Sequence, residues 1–282
     1  MRAIKGGLGA TVGMHDTARV MDDTPLIALA GLSKLFQSRR GEDVLALDGV
    51  DIAIRRGEFV SVVGPSGCGK STLMRIIAGL LAPTAGSVVV DGRPVVGTRN
   101  DVGIVFQSAT LLPWRTVLDN ALLPTQLQKL DPAKSRKRVE RLLTLVGLAD
   151  FRLKYPFELS GGMQQRVAIC RALAHDPAIL LMDEPFGALD AMTREHMNLE
   201  LMRIWMEERK TVLFITHSIP EAVLLADRVV VMTARPGRVD RVLAVDIPRP
   251  RTLHTMADAH FARLCGEIRS ELAPTLPGLA HL

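Results

Sequence analysis

The sequence predicts an α/β fold, a parallel sheet covered on both faces by helices. Three observations predict it. Short apolar, β-branched runs alternate with segments of helical period along most of the 282 residues, the pattern of a sheet buried on both sides. One such run, 58–63, leads directly into the glycine-rich turn Gly64-Pro65-Ser66-Gly67-Cys68-Gly69 and then into a helix opening at Lys70-Ser71-Thr72. Another, 178–182, stops abruptly on two carboxylates, Asp183 and Glu184, and functional side chains gather at the carboxyl ends of parallel strands.

Bulk properties narrow the class. Nothing approaches the ~18 consecutive apolar residues of a membrane span, and residues 1–23 carry Arg2 and Lys5 without a following apolar block, so no secretory signal is expected. The glycines at 6, 7, 9 and 13 predict a flexible arm over 1–24, with Met14 and Met21 as alternative starts. The three cysteines, Cys68, Cys170 and Cys265, are far apart and lack metal-ligand spacing, which predicts reduced thiols in a cytoplasmic protein. Lys and Arg exceed Asp and Glu by 35 to 30. The basic clusters at 134–141 and 235–251 read as a solvated helix face and a loop rather than as a surface for an anionic partner.

Taken in order, 26–32 is a strand, and 44–54 alternates apolar with polar residues as a half-buried strand pair does. After the glycine-rich turn and its helix, which ends at Gly79, residues 87–95 form a hairpin with Asp91-Gly92 at the tip. The first part therefore joins an antiparallel sheet to the start of a parallel one. A buried strand over 102–106 ends at Gln107. Helices follow over 116–129 and 132–146, divided at Asp131-Pro132, and another starts at Ser160, so that 108–170 is a helical insertion between strands. A long amphipathic helix spans 193–208, a strand 211–216 ends at His217, a short helix covers 220–226, and the last strands are 228–232 and 238–245. In the tail, 251–282, Phe261, Leu264, Cys265, Ile268 and Leu272 share one helical stripe that packs on the body.

The turn Gly64 to Ser71 fits G-x-x-x-x-G-K-[ST] without a mismatch. Free N–H groups of a glycine loop and a helix start converge there, and the helix dipole adds positive charge, so the turn binds a nucleoside triphosphate. Gly64, Gly67 and Gly69 are expected to supply positive φ or close backbone approach. Lys70 is the mobile charge for the outer phosphates, and Ser71 offers its hydroxyl to Mg²⁺. Asp183 would hold the same metal from its strand end, and Glu184 is the natural base or water-orienting group for attack on the γ-phosphate. Leu159-Ser160-Gly161-Gly162-Met163 is a second glycine-bearing helix start, with Ser160 as N-cap, and by the same physics a second anion site.

Together these segments resemble the ATP-binding subunit of an ABC transporter. Glycine-rich turn, Gln107, Leu-Ser-Gly-Gly, Asp183-Glu184, Ala188-Leu189-Asp190 and His217 occur in that family's order and approximate spacing over about residues 25–250; Met163 stands where many members have Gln. The resemblance implies a P-loop NTPase fold with a RecA-like core, ATP and Mg²⁺ as ligands, and a head-to-tail homodimer. It also implies residue roles. Phe36 would stack on adenine, and Gln107 would reach the metal and the attacking water. Ser160, Gly161 and Gly162 would grip the γ-phosphate of ATP bound by the opposite subunit. Asp190 would touch that subunit, and His217 would contact the γ-phosphate and position Glu184.

The stretch Leu111-Leu112-Pro113-Trp114-Arg115-Thr116, with Thr233-Ala234-Arg235-Pro236-Gly237-Arg238 and Ile247-Pro248-Arg249-Pro250-Arg251, is similar to the importer branch for nitrate, sulfonates and taurine. That likeness implies integral membrane permease partners docking at the Trp114 loop, an external solute-binding protein, and a place at the cytoplasmic face of the inner membrane. No nucleic acid is expected, since the long coiled coils of DNA-end ATPases and the paired cassettes of translation factors do not occur in this sequence. A basic, nucleic-acid-binding ATPase remains the rival class, as does an importer of other solutes.

Overall fold

The computed structural model describes residues 24–37, 41–233 and 235–273; the predicted arm lies outside them apart from Thr24. Among the described residues, ten strands form two sheets. The first has the order β2-β1-β4-β5 and is antiparallel throughout, built from β1 (Ile27–Phe36), β2 (Val44–Ile54), β4 (Ala85–Val90) and β5 (Arg93–Pro94). The expected pair over 44–54 is one continuous strand, because its polar–apolar alternation is the two faces of a single ribbon: Leu47, Val50, Ile52 and Ile54 point inward. The Asp91-Gly92 turn has φ of 51° and 69°, the left-handed pair that a tight hairpin requires.

The second sheet has the order β10-β9-β3-β8-β7-β6, with β3 (Phe59–Val63), β6 (Val102–Val105), β7 (Ile179–Asp183), β8 (Thr211–Ile215) and β9 (Arg228–Met232) parallel and β10 (Val239–Ala244) antiparallel at one edge. Its central strands have apolar residues on both faces. Val60, Val62, Ile179, Leu181, Leu213 and Ile215 pack with the antiparallel sheet and with α1 (Lys70–Ile77). Phe59, Val63, Leu180, Met182, Val212 and Phe214 face the helical side. This is why β3, β7 and β8 read as near-continuous apolar runs.

The helical side begins with α2 (Val117–Leu127) and α3 (Pro132–Leu145), capped by the side chains of Thr116 and Asp131. Then come α4 (Gly161–Leu173), α5 (Ala191–Glu208), α6 (Ile219–Leu225), the short α7 (Leu253–Met256) and α8 (Ala259–Leu272). The stripe expected in the tail buries Phe261, Leu264, Cys265 and Ile268 in the same core. Among the described residues no helix is long and apolar enough to cross a membrane.

The basic clusters are largely neutralised within the chain. On α3, Arg136 pairs with Glu140, Arg138 with Asp176 and Glu208, and Arg141 with Glu208. The expectation of a solvated loop at 249–251 is corrected. Arg251 is 3% exposed and bonds the carbonyls of Val223, Leu224, Ala226, Val245 and Ile247, closing the C-terminal end of α6. Burial and neighbouring Arg249 lower its pKa to about 10. The Arg249 guanidinium lies 4.3 Å from the Trp205 ring centroid and bonds Leu225 O and Asp227. Helix-end carbonyls are strong acceptors without intrahelical partners, and their demand draws the arginine inside.

Candidate nucleotide site

The phosphate loop joins fully buried β3 to α1. Gly69, the N-cap of α1, has φ 95°, and Gly67 has φ 75°. Both need the left-handed region that glycine occupies at little cost. Gly64 meets the other expected need, close approach: its φ lies outside that region, and a Cβ would stand 2.8 Å from both Cys68 Sγ and Met232 O. The loop is supported from behind. A Cβ on Gly237 would lie 2.0 Å from Cys68 O, and one on Gly69 would lie 2.7 Å from Ala46 O.

Inside the loop, Lys70 Nζ donates to Gly64 O at 2.8 Å and Pro65 O at 2.9 Å. Cys68 Sγ is 3.7 Å from the same ammonium, and burial pushes the thiol up against the opposing pull of Lys70. Ser66 and Gly67 face solvent. The first bond of α1 runs from Leu73 N to Gly69 O at 2.8 Å, so the amides of Lys70, Ser71 and Thr72 precede the helical ladder and are the donors an anion meets.

The carboxylate pair stands beside this loop. Ser71 Oγ donates to Asp183 Oδ1 at 3.0 Å, and burial raises the Asp183 carboxyl while the Ser71 bond lowers it. Glu184, one residue on, has φ 45°, a conformation uncommon outside glycine and concentrated at functional sites. Its amide bonds Ile215 O at 2.9 Å, and its Oε2 lies 3.2 Å from His217 Nδ1. Gln107, two residues past β6, reaches the same place: a Cβ on Gly187 would lie 3.2 Å from Gln107 Nε2 and 3.7 Å from Glu184 Oε2. The structure thus brings Lys70, Ser71, Gln107, Asp183, Glu184 and His217 together from four strand ends. Ser71 and Asp183 present two hard oxygen donors side by side, the chemistry that suits Mg²⁺ with its remaining positions left to phosphate and water.

Phe36 closes β1, pairs with Val44, and is 40% exposed with Lys34 Nζ 5.3 Å from its ring centroid. Ala46, two residues along β2, is the carbonyl behind Gly69, so the ring belongs to the strand pair that supports the loop.

The Ser160 turn is elsewhere. Ser160 caps α4, its Oγ accepting from Met163 N at 3.3 Å. Gly161 and Gly162 lie against Leu189 and Thr193 of their own chain, and among the described residues no hydrogen bond joins this turn to the phosphate loop, Asp183 or Glu184. Asp190 caps α5 by accepting from Thr193 N at 3.0 Å, which holds its exposed carboxyl below the ordinary range.

Two connectors had no functional reading in the sequence. Gln165, 3% exposed, donates from Nε2 to Phe106 O at 3.1 Å, and Arg171 bonds Ala109 O at 2.7 Å and Thr110 O at 2.8 Å. They tie α4 to the segment around Gln107. Neither stood out in the sequence, because the same helix also carries Gln164 and Arg166.

The model of the family described as ABC transporter matches residues 47–187. The chain belongs to the ATP-binding proteins of the ABC transporter family. It is 51% identical over 225 residues to an uncharacterized ABC transporter ATP-binding protein of Methanocaldococcus jannaschii, covering 80% of this chain and 84% of that one. It is 46% identical over 215 residues to the taurine import ATP-binding protein TauB of Roseobacter denitrificans, covering 76% and 80%. Among solved structures, it resembles a dimeric post-hydrolysis ATP-binding cassette bound to ADP and Pi, with TM-score 0.68 and 36% identity over 79% of this chain and 100% of that one. It also resembles cbiO1 of Clostridium perfringens, part of the transporter complex cbiONQ, with TM-score 0.72 and 28% identity over 86% and 94%. The protein is therefore an ABC transporter ATPase.

Proposed function

We propose that this ATPase is the motor subunit of an importer for taurine or a related small sulfonate or nitrate-like solute. It works as a head-to-tail pair at the cytoplasmic face of the inner membrane, bound to integral permease subunits that receive solute from an external binding protein. The observation that carries the pairing is the separation of the two anion-binding helix starts: the Ser160 turn is built and capped, but among the described residues no hydrogen bond joins it to the loop it would complete. In the pair, Ser160, Gly161 and Gly162 of one chain close on the γ-phosphate held by Gly64 to Ser71 of the other, and Asp190 lies at the seam.

Ser71 and Asp183 would hold Mg²⁺, with Gln107 in reach, and the metal when bound would supply neutralisation of phosphate charge. Lys70 exchanges its bonds to Gly64 O and Pro65 O for phosphate oxygens. Glu184 accepts the proton of the attacking water, and His217 holds the carboxylate through Nδ1 and faces the γ-phosphate. Phe36 stacks on the base. Closure follows ATP binding, and opening follows hydrolysis and product release.

Permease docking is assigned to the Trp114 loop. Trp114 is 72% exposed, while buried Asn120 pins the loop beneath it, accepting from Leu112 N at 2.7 Å and donating to the carbonyls of Leu112, Arg115 and Thr116. A large aromatic held outward on a fixed loop is the form of an interface anchor. Arg171 and Gln165 connect this segment to α4, so movement at the docking loop reaches both Gln107 and the Ser160 turn. The TauB relatives support the solute class.

Glu184→Gln tests the chemistry. ATP binding should persist, turnover should fall about a thousandfold, and ATP should hold the variant as a dimer in size-exclusion chromatography. Turnover at the wild-type rate removes Glu184 from its role. ATPase stimulation by a reconstituted permease supplied with taurine-loaded binding protein supports the importer reading; stimulation by DNA or RNA instead overturns it.

A further inference from the structure

The turn that carries His217 rests on a buried carboxylate that the hydrolysis scheme leaves unused. Glu221, in the first turn of α6, is 5% exposed, an unusual place for a glutamate without a cationic partner. Its Oε2 accepts from Thr216 Oγ1, and its Oε1 accepts from Asn198 Nδ2 at 3.2 Å. Thr216 is 2% exposed, and its Oγ1 also accepts from Ser218 N at 3.0 Å. Ser218 Oγ in turn accepts from Glu221 N at 3.4 Å. Of the residues flanking His217, Thr216 is thus tied to the Glu221 side chain and Ser218 to the Thr216 hydroxyl and the Glu221 backbone amide, whereas the half-exposed imidazole itself bonds Glu184 Oε2.

The brace has a second anchor. Asn198 lies one helical turn after Arg194 on α5, and Arg194 bonds Phe186 O, Gly187 O and Leu189 O at 3.2, 3.4 and 2.9 Å. One face of α5 therefore holds both the turn between Glu184 and Asp190 and, through Glu221, the turn bearing His217. Burial raises the Glu221 carboxyl, opposed by the Thr216 and Asn198 bonds and by the charge of Arg194.

We propose that Glu221, linked through Thr216 and anchored by Asn198, is a positioning residue that fixes the His217 imidazole in line with Glu184 for ATP hydrolysis. It touches neither nucleotide nor metal, and its role rests on the reading that His217 acts at Glu184. The interaction needed is an acceptor for the Thr216 hydroxyl, not a negative charge. A glutamine can supply that acceptor and donate its amide to Asn198 Oδ1, which is buried without a partner, once the Asn198 amide turns over.

Steady-state ATPase assays on purified variants test this. Thr216→Val keeps the volume and removes the link, and should lower kcat about tenfold or more, as small misplacements of reacting groups do, with the ATP Kd unchanged within about twofold. Thr216→Ser and Glu221→Gln should keep near-wild-type kcat, and Glu221→Ala should match Thr216→Val. In a His217→Ala background Thr216→Val should cost nothing further, since two residues acting through one step are not additive. Wild-type kcat in Thr216→Val overturns the brace, as does a loss that multiplies with that of His217→Ala. Unchanged kcat in His217→Ala alone would remove the underlying reading and the brace with it.

Discussion

The phosphate loop and the Ser160 turn are the same device, a glycine-bearing helix start that offers free amides to an anion, yet they are finished differently. Around Gly64 to Ser71 the protein supplies everything else from its own chain: Lys70 inside the loop, Asp183 on the Ser71 hydroxyl, and Glu184, His217 and Gln107 from neighbouring strand ends. Around Ser160 it supplies a cap and a backing of Leu189 and Thr193, then leaves the open side to solvent. A helix start with nothing charged set against it binds weakly alone. The contrast supports the proposed pairing, in which the second start is one wall of a site whose other wall is on another molecule.

The sharpest way to break this comparison is to damage each region separately and mix the products. Lys70→Met and Ser160→Arg should each lower ATPase activity by about a thousandfold, the scale of losing key charge stabilisation of a transition state. Ser160 is exposed, so its variant should fold and bind ATP as a monomer. If sites are composite, a mixed pair contains one site with wild-type Lys70 from one chain and wild-type Ser160 from the other, and mixing should restore a substantial part of the activity. Activity that stays at the level of the separate variants shows that each chain's two helix starts serve one nucleotide in cis.

A middle-sized effect separates the regions by packing. Ala at position 237 would push a methyl group to 2.0 Å from Cys68 O, whereas Ala at 161 meets nothing nearer than 3.7 Å. Gly237→Ala should therefore destabilise the fold by about 1–3 kcal/mol, the usual cost of overpacking, and weaken ATP binding as the loop shifts. Gly161→Ala should leave the melting temperature nearly unchanged and act on ATP-dependent dimerisation alone. Equal melting curves for the two variants would mean that the back of the phosphate loop is not the rigid support described above.

This packing difference also explains what the sequence could reveal. Strand ends and helix starts were legible because their chemistry is local: Gly67, Gly69, Ser160, Asp183 and Glu184 stand next to the backbone features they depend on. The α/β sheet was legible for a related reason, since a strand buried on both faces has no polar period. Support from a distance was not legible. Gly237 lies 169 positions from Cys68 in the numbering, and Glu221, Asn198 and Arg251 are polar residues that any helix or loop can carry on its wet side. Arg251 looked like part of a basic loop because three of the five carbonyls it satisfies belong to the end of α6, 25 to 28 positions earlier in the chain. For Gly64 the sequence left open whether torsion or close approach is the need, and the position of Met232 makes it steric.

The smallest expected effect sharpens the comparison at its outer edge. Phe36 is an aromatic platform on the phosphate-loop side, 40% exposed at the end of β1. Stacking on a base contributes about 1–3 kcal/mol by alanine substitution where it has been measured in base-binding proteins, and an open strand end belongs at the low end of that range. Phe36→Ala should therefore raise the Kd for ATP and for ADP by about five- to tenfold and leave inorganic triphosphate binding unchanged, because the ring does not reach the phosphates. Saturating ATP should restore kcat and dimerisation, since in the proposed pair the Ser160 turn of the other chain meets the γ-phosphate and not the base. Were kcat at saturation to fall together with affinity, Phe36 would belong to the closing seam, and the boundary between what one chain completes and what its partner completes would lie beyond the phosphates, at the base itself.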